Sequence, residues 1–107
     1  MILAGDVGGT NTRLALVTAK KKVMRILVEG TFPSRERTSL EAVIEEFLAV
    51  RPCDLTQASF GIAGPVRDGR CEATNLPWVV DSKNVAKRLG LKRVGLINDL
   101  VANAYGI

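Results

Sequence analysis

An α/β domain, a mixed sheet with helices on its faces, is the fold class that the order of apolar segments predicts. Three observations carry it. The chain opens with three apolar runs, Met1–Ala4, Leu14–Val17 and Val23–Glu29, separated by turn residues in the manner of an antiparallel meander. A segment with helical periodicity follows, from Leu40 to Leu48. Two later apolar runs, Ala58–Ala63 and Val94–Ile97, have a second helical pattern between them.

Each element has a local reason. Between the first two runs lies Gly5-Asp6-Val7-Gly8-Gly9-Thr10-Asn11, whose Gly-Gly pair reads as a hairpin turn, and Lys20-Lys21-Lys22 makes the next turn. Thr38-Ser39-Leu40-Glu41 reads as a capping box, the Thr38 hydroxyl taking an N–H and Glu41 reciprocating. Leu40, Val43, Ile44, Phe47 and Leu48 then share one helix face, and Pro52 stops the helix. Glu41, Glu45 and Glu46 lie on or near the opposite face and are read as solubilising. The run Ala58–Ala63 ends at Gly64-Pro65, and Asp68-Gly69 is a turn signal that makes Val66–Arg67 and Arg70–Ala73 a short ribbon. Thr74 to Trp78 reads as a polar loop with one aromatic. Asp81 or Ser82 caps a second helix over Val85, Ala86 and Leu89, with Lys87-Arg88 near its end and Gly90 just beyond. From Leu100 the pattern turns helical again.

At 107 residues, 47% hydrophobic and 24% charged, the chain has the makings of one ordinary globular domain, 1–107. No apolar run approaches the length of a membrane span, and no basic region leads into a hydrophobic one at the start, so neither a membrane segment nor a secretory signal is expected. Cys53 and Cys71 lack metal-type spacing and are read as free thiols of a reducing compartment. The sequence contains no histidine, which removes Ser/His triads and His-ligated metals. The net charge of +4 is scattered, and one Trp, one Tyr and three Phe offer few stacking platforms, so nucleic acid is not the expected partner.

Two constellations carry chemistry. Gly5 to Asn11 joins a tight turn, whose glycines allow positive φ and close ligand approach, to a hydroxyl at Thr10 and a carboxylate at Asp6. A row of turn N–H groups suits a phosphate, and Asp6 could hold the Mg²⁺ that accompanies it. The competing reading is an ordinary hairpin turn, which Asp6 weakens, because a carboxylate beside a phosphate needs a cation between them. A P-loop is excluded, since no G-K-[ST] follows and the next element reads as a strand. The second constellation is Asn98-Asp99, at the carboxyl end of the last apolar run, where open α/β sheets bind ligands. Asp99 suits a general base for a substrate hydroxyl. Helix capping by Asn98 and dipole compensation by Asp99 are the alternatives.

GDVGGTNTRLALV, SLEAVIEEFL, FGIAGPV, ATNLPWVVD and LINDLVANAYG occur in the order and spacing seen at the start of bacterial glucokinases. The chain resembles that family over essentially its whole length. The resemblance implies the sugar-kinase/actin-like/Hsp70 fold, with a ribonuclease H-like mixed sheet of five strands in the order 3-2-1-4-5. It implies ATP and Mg²⁺ at Gly5, Asp6, Val7, Gly8, Gly9, Thr10 and Asn11, with Asp6 toward the metal. It implies glucose as the substrate, Asn98 and Asn75 binding it, and Asp99 taking the proton from its 6-hydroxyl; Trp78 is expected in the core. Family members carry a second, larger domain. The chain is therefore expected to be the N-terminal domain of a cytoplasmic enzyme, inactive alone and prone to self-association or dimerisation through the face that domain would cover. A kinase for another hexose or an amino sugar, and a non-catalytic sugar or nucleotide sensor of the same fold, are the alternatives.

Overall fold

The computed structural model describes residues 1–20, 23–49, 54–73, 76–92 and 94–98. Strands β1 (Ile2–Val7) and β2 (Asn11–Lys20) pair antiparallel from Ile2 opposite Val17 to Val7 opposite Thr12. β3 (Val23–Pro33) continues the meander and is longer than the apolar run alone indicates. It runs on past Glu29 because Phe32 packs edge-on against Phe47, with centroids 6.0 Å apart, and Gly30 leaves room for both rings. The register with β2 shifts between Leu16 and Val17, placing one extra residue in β3.

A short 3-10 turn, Ser34–Glu36, leads to helix α1 (Leu40–Ala49). Its cap differs from the capping box expected from the sequence. The Ala42 N–H donates to Ser39 Oγ at 3.2 Å, so Ser39 is the cap and Thr38 stands exposed outside the helix. With the helix starting at Leu40, the third helical residue is Ala42, which has no carboxylate to reciprocate. Leu40, Val43, Ile44 and Phe47 are buried, as their spacing predicts. Glu45 and Glu46 do more than solubilise. Arg37 donates twice to Glu46, at 2.6 and 3.0 Å, and Glu45 pairs with Arg88. The pairing with Arg37 holds the Glu46 carboxyl below its usual range.

β4 (Gln57–Ile62) returns parallel to β1. β5 (Val66–Arg67) and β6 (Arg70–Glu72) form the expected ribbon, with positive φ at both Asp68 and Gly69 in its turn. The ribbon has a third strand that apolar patterning did not resolve, β7 (Val79–Asp81), which pairs with β6. Asp81 ends that strand and caps α2 (Ser82–Leu89), accepting from the Lys83 N–H at 2.9 Å, while Gly90 closes the helix with φ at 71°. β8 (Val94–Asn98) pairs parallel with β4.

The large sheet has the order β3-β2-β1-β4-β8, which is 3-2-1-4-5 counted within that sheet. Leu3, Leu14, Leu16, Phe60 and Ile62 from one face of it share a single core with α1, α2 and the small sheet. Both described helices thus lie on the same face, whereas the sequence pattern gave helices to the faces without distinguishing them. Trp78 is 2% exposed in this core, as expected. The helical pattern from Leu100, the stop at Pro52 and Cys53 lie outside the described residues.

Candidate active site at the carboxyl edge of the sheet

Parallel pairing decides where the chemistry-bearing residues meet. Val7 is in register with Ile62, and Ile62 with Asn98, so the carboxyl ends of β1, β4 and β8 form one edge. At about 4.8 Å per strand the backbone positions of Val7 and Asn98 are about 10 Å apart. The β1–β2 turn projects from that edge, and β3 ends there too, with Asn11 opposite Pro33. Asn98 is described through its backbone; Asp99 and Asn75 lie outside the described residues.

The turn owes its shape to specific hydrogen bonds. The Gly8 N–H donates to the Asn11 carbonyl at 3.0 Å and is spent within the turn. Neither Gly8 nor Gly9 has positive φ, contrary to the reason the sequence offered for them. Gly8 is required by close approach instead, since a Cβ there would lie 2.9 Å from the Asn11 carbonyl oxygen. Gly5 has a separate packing reason, as a Cβ would lie 2.5 Å from the Phe60 ring and 2.9 Å from Leu14.

Behind the turn stand two fully buried hydroxyls, Thr12 and Ser34. Ser34 Oγ donates to the Gly8 carbonyl at 2.7 Å, and Thr12 Oγ1 lies 2.8 Å from Ser34 Oγ. Because Ser34 has one hydroxyl proton and gives it to Gly8, Thr12 is the donor to Ser34. The Ser34 N–H also donates to the Thr10 carbonyl at 3.0 Å. Sequence reasoning missed both residues, because nothing in the pattern separates a buried strand threonine or a turn serine from exposed ones.

Asp6 is exposed near the end of β1, opposite Arg13 on β2 and in register with Gly61 on β4. Gly61 has no side chain to fill the space beside it. A carboxylate next to a glycine turn has the donor chemistry for Mg²⁺ that arrives with other oxygen ligands. Among the described residues no group of three acidic, Cys or His side chains could form a protein-only metal cage. The next strand of the edge, β4, is followed by Gly64 with φ at 135°, a bend only glycine adopts readily, and the Ala63 N–H donates to the Val7 carbonyl at 3.4 Å.

The loop after β6 is closed by the Ala73 N–H donating to the Trp78 carbonyl at 3.0 Å. The Trp78 Nε1–H donates to the Arg37 carbonyl at 3.1 Å, anchoring the loop to the 3-10 turn. Cys71 is no candidate nucleophile. Burial pushes its thiol pKa up, and the Glu72 carboxylate adds to the effect.

Known proteins similar to this chain in sequence and architecture agree with one another. The family model described as Glucokinase matches residues 3–107. A glucokinase of Synechocystis is 38% identical over 116 residues, covering 98% of this chain and 33% of its own length. One from Psychromonas ingrahamii is 37% identical, covering 98% of this chain and 32% of itself. The crystal structure of a glucokinase from an Antarctic psychrotroph superposes with a TM-score of 0.87 at 34% identity, over 97% of this chain and 34% of that one. A ROK-family glucokinase from Streptomyces griseus, solved with glucose and AMPPNP, superposes at 0.69 with 25% identity, over 98% of this chain and 35% of that one. The chain thus spans about a third of the length of these relatives. With a family match from residue 3 to 107, the chain belongs to the glucokinase family.

Proposed function

We propose that this chain is the N-terminal, phosphate-binding domain of a cytoplasmic glucokinase that transfers the γ-phosphate of ATP to the 6-hydroxyl of glucose. The observation that carries the reading is the shared carboxyl edge. The glycine turn, Asp6 and the end of β8 that leads into Asp99 converge there, on a sheet superposing closely with a solved glucokinase.

In this reading the turn Gly8-Gly9-Thr10 receives the nucleotide phosphates, and Gly5, Val7 and Asn11 hold it in place. Asp6 would hold Mg²⁺, which neutralises phosphate charge when bound. Asn98 and Asn75 bind the sugar, and Asp99 orients the 6-hydroxyl and accepts its proton as the hydroxyl oxygen bonds to phosphorus and ADP leaves. The adenosine pocket and the remaining sugar contacts belong to the rest of the protein, so the isolated chain does not turn over. The surface that the rest would cover makes the isolated chain self-associate.

Phosphorylation assays on the full-length protein carrying this chain, with glucose, mannose, fructose and N-acetylglucosamine, test the assignment. Glucose with ATP is expected to give the highest kcat/KM. A higher value for another sugar would reassign the enzyme, and no ATP-dependent transfer to any of them would overturn it.

A further inference from the structure

We propose that Thr12 and Ser34 are positioning residues for the phosphate turn, their hydroxyl relay turning the Gly8 carbonyl inward and thereby aiming the Gly9 N–H at a phosphate oxygen. The inference rests on reading this turn as a nucleotide-phosphate site.

A trans peptide is planar, so its N–H points opposite to its C=O. Ser34 Oγ fixes the Gly8 carbonyl from the buried side at 2.7 Å, and the N–H of Gly9, in the same peptide plane, points the other way. The Ser34 N–H fixes the Thr10 carbonyl in the same manner at 3.0 Å, which turns the Asn11 N–H away from Ser34. One residue thereby withdraws two carbonyl oxygens that would repel a phosphate. Because the Gly8 carbonyl can only accept, Ser34 spends its proton there and takes one from Thr12 at 2.8 Å. The direction of the relay is therefore set at its Gly8 end.

A hairpin needs no such brace. Burying two hydroxyls completely carries a desolvation cost, which their hydrogen bonds to each other and to the Gly8 carbonyl offset. What the relay adds is a fixed peptide orientation. Donors held in place before the ligand arrives need no reorganisation when charge must be stabilised. The brace is itself anchored, because the 3-10 turn that begins at Ser34 ends at Arg37, whose carbonyl accepts from the buried Trp78.

Calorimetric binding to the full-length protein carrying this chain tests the assignment, with two probes: MgAMPPNP, and adenosine, which has no phosphate. Ser34→Ala and Thr12→Val are expected to weaken MgAMPPNP by about tenfold, the worth of one oriented hydrogen bond, while adenosine changes by less than about twofold. Thr12→Ser, which keeps the hydroxyl, is expected to recover the affinity that Thr12→Val loses. Thr12→Val is nearly isosteric, so the test survives if Ser34→Ala does not fold. Equal weakening of both probes would make the relay a general structural brace and overturn the proposal, as would unchanged MgAMPPNP binding. A wild-type protein that binds MgAMPPNP without phosphorylating glucose would overturn the proposed function alone; one that binds no MgAMPPNP would overturn both.

Discussion

Single residues at the carboxyl edge have separable roles, although they sit side by side in the chain. Gly5 and Gly8 are three positions apart, yet one lacks a Cβ because Phe60 occupies that space and the other because the Asn11 carbonyl does. Gly5→Ala is accordingly expected to overpack the core and lower unfolding free energy by about 1–3 kcal/mol. Chemical denaturation measures this, and an unchanged midpoint would show that the core beside Phe60 yields easily. Asp6 is the proposed metal ligand. Asp6→Asn keeps the shape and removes the charge, so it is expected to raise the KM for MgATP in the full-length enzyme and to be partly relieved by excess Mg²⁺. If excess metal gave no relief, the carboxylate would be serving something other than the cation, Arg13 opposite it being the nearest candidate by register.

At the scale of elements, the helices and the ribbon were legible because their signals are local. The spacing of Leu40, Val43, Ile44 and Phe47 defines the buried face of α1, and Asp68-Gly69 and Gly90 stand at positive φ where their residue types favour it. Phe47→Ala is expected to cost about 3–5 kcal/mol, since the ring is wholly buried against Phe32 and Gly30. A loss below about 1 kcal/mol in denaturant unfolding would mean the face is wrongly assigned. Features set by distant contacts were not legible. β7 is a three-residue strand defined only by its pairing with β6, and β3 extends beyond Glu29 because of a ring on α1. The cap of α1 moved from Thr38 to Ser39, as both residue types are acceptable caps and the first buried turn decides between them. In the site, a glycine turn with its carboxylate was readable as a motif, but the Thr12–Ser34 relay joins residues 22 positions apart and leaves no spacing signature.

For the molecule as a whole, the topology explains how a chain that spans a third of its relatives can gather its candidate site residues at one sheet edge. Parallel pairing of β1, β4 and β8 aligns their carboxyl ends whatever lies beyond them, so the glycine turn and the end of β8 meet at one edge within this one sheet. The proposed reaction draws on closure around both substrates, a part assigned in that proposal to the rest of the protein. The purified 107-residue chain is expected to show no glucose-dependent ATP consumption. Turnover near about 10 s⁻¹, an ordinary enzyme value, would contradict the division of labour proposed for the two parts.

The proposed role of Asp99 as the base for the sugar hydroxyl is the central assignment. Steady-state kinetics of Asp99→Asn in the full-length protein tests it most directly, because the substitution keeps the side chain's shape and removes its basicity. A sugar hydroxyl is a poor nucleophile until its proton has somewhere to go, and general-base assistance is typically worth about 10²–10⁴-fold. A fall in kcat of at least about a hundredfold is expected, with little change in glucose affinity. Near-normal kcat with weakened glucose binding would make Asp99 a binding group and contradict it.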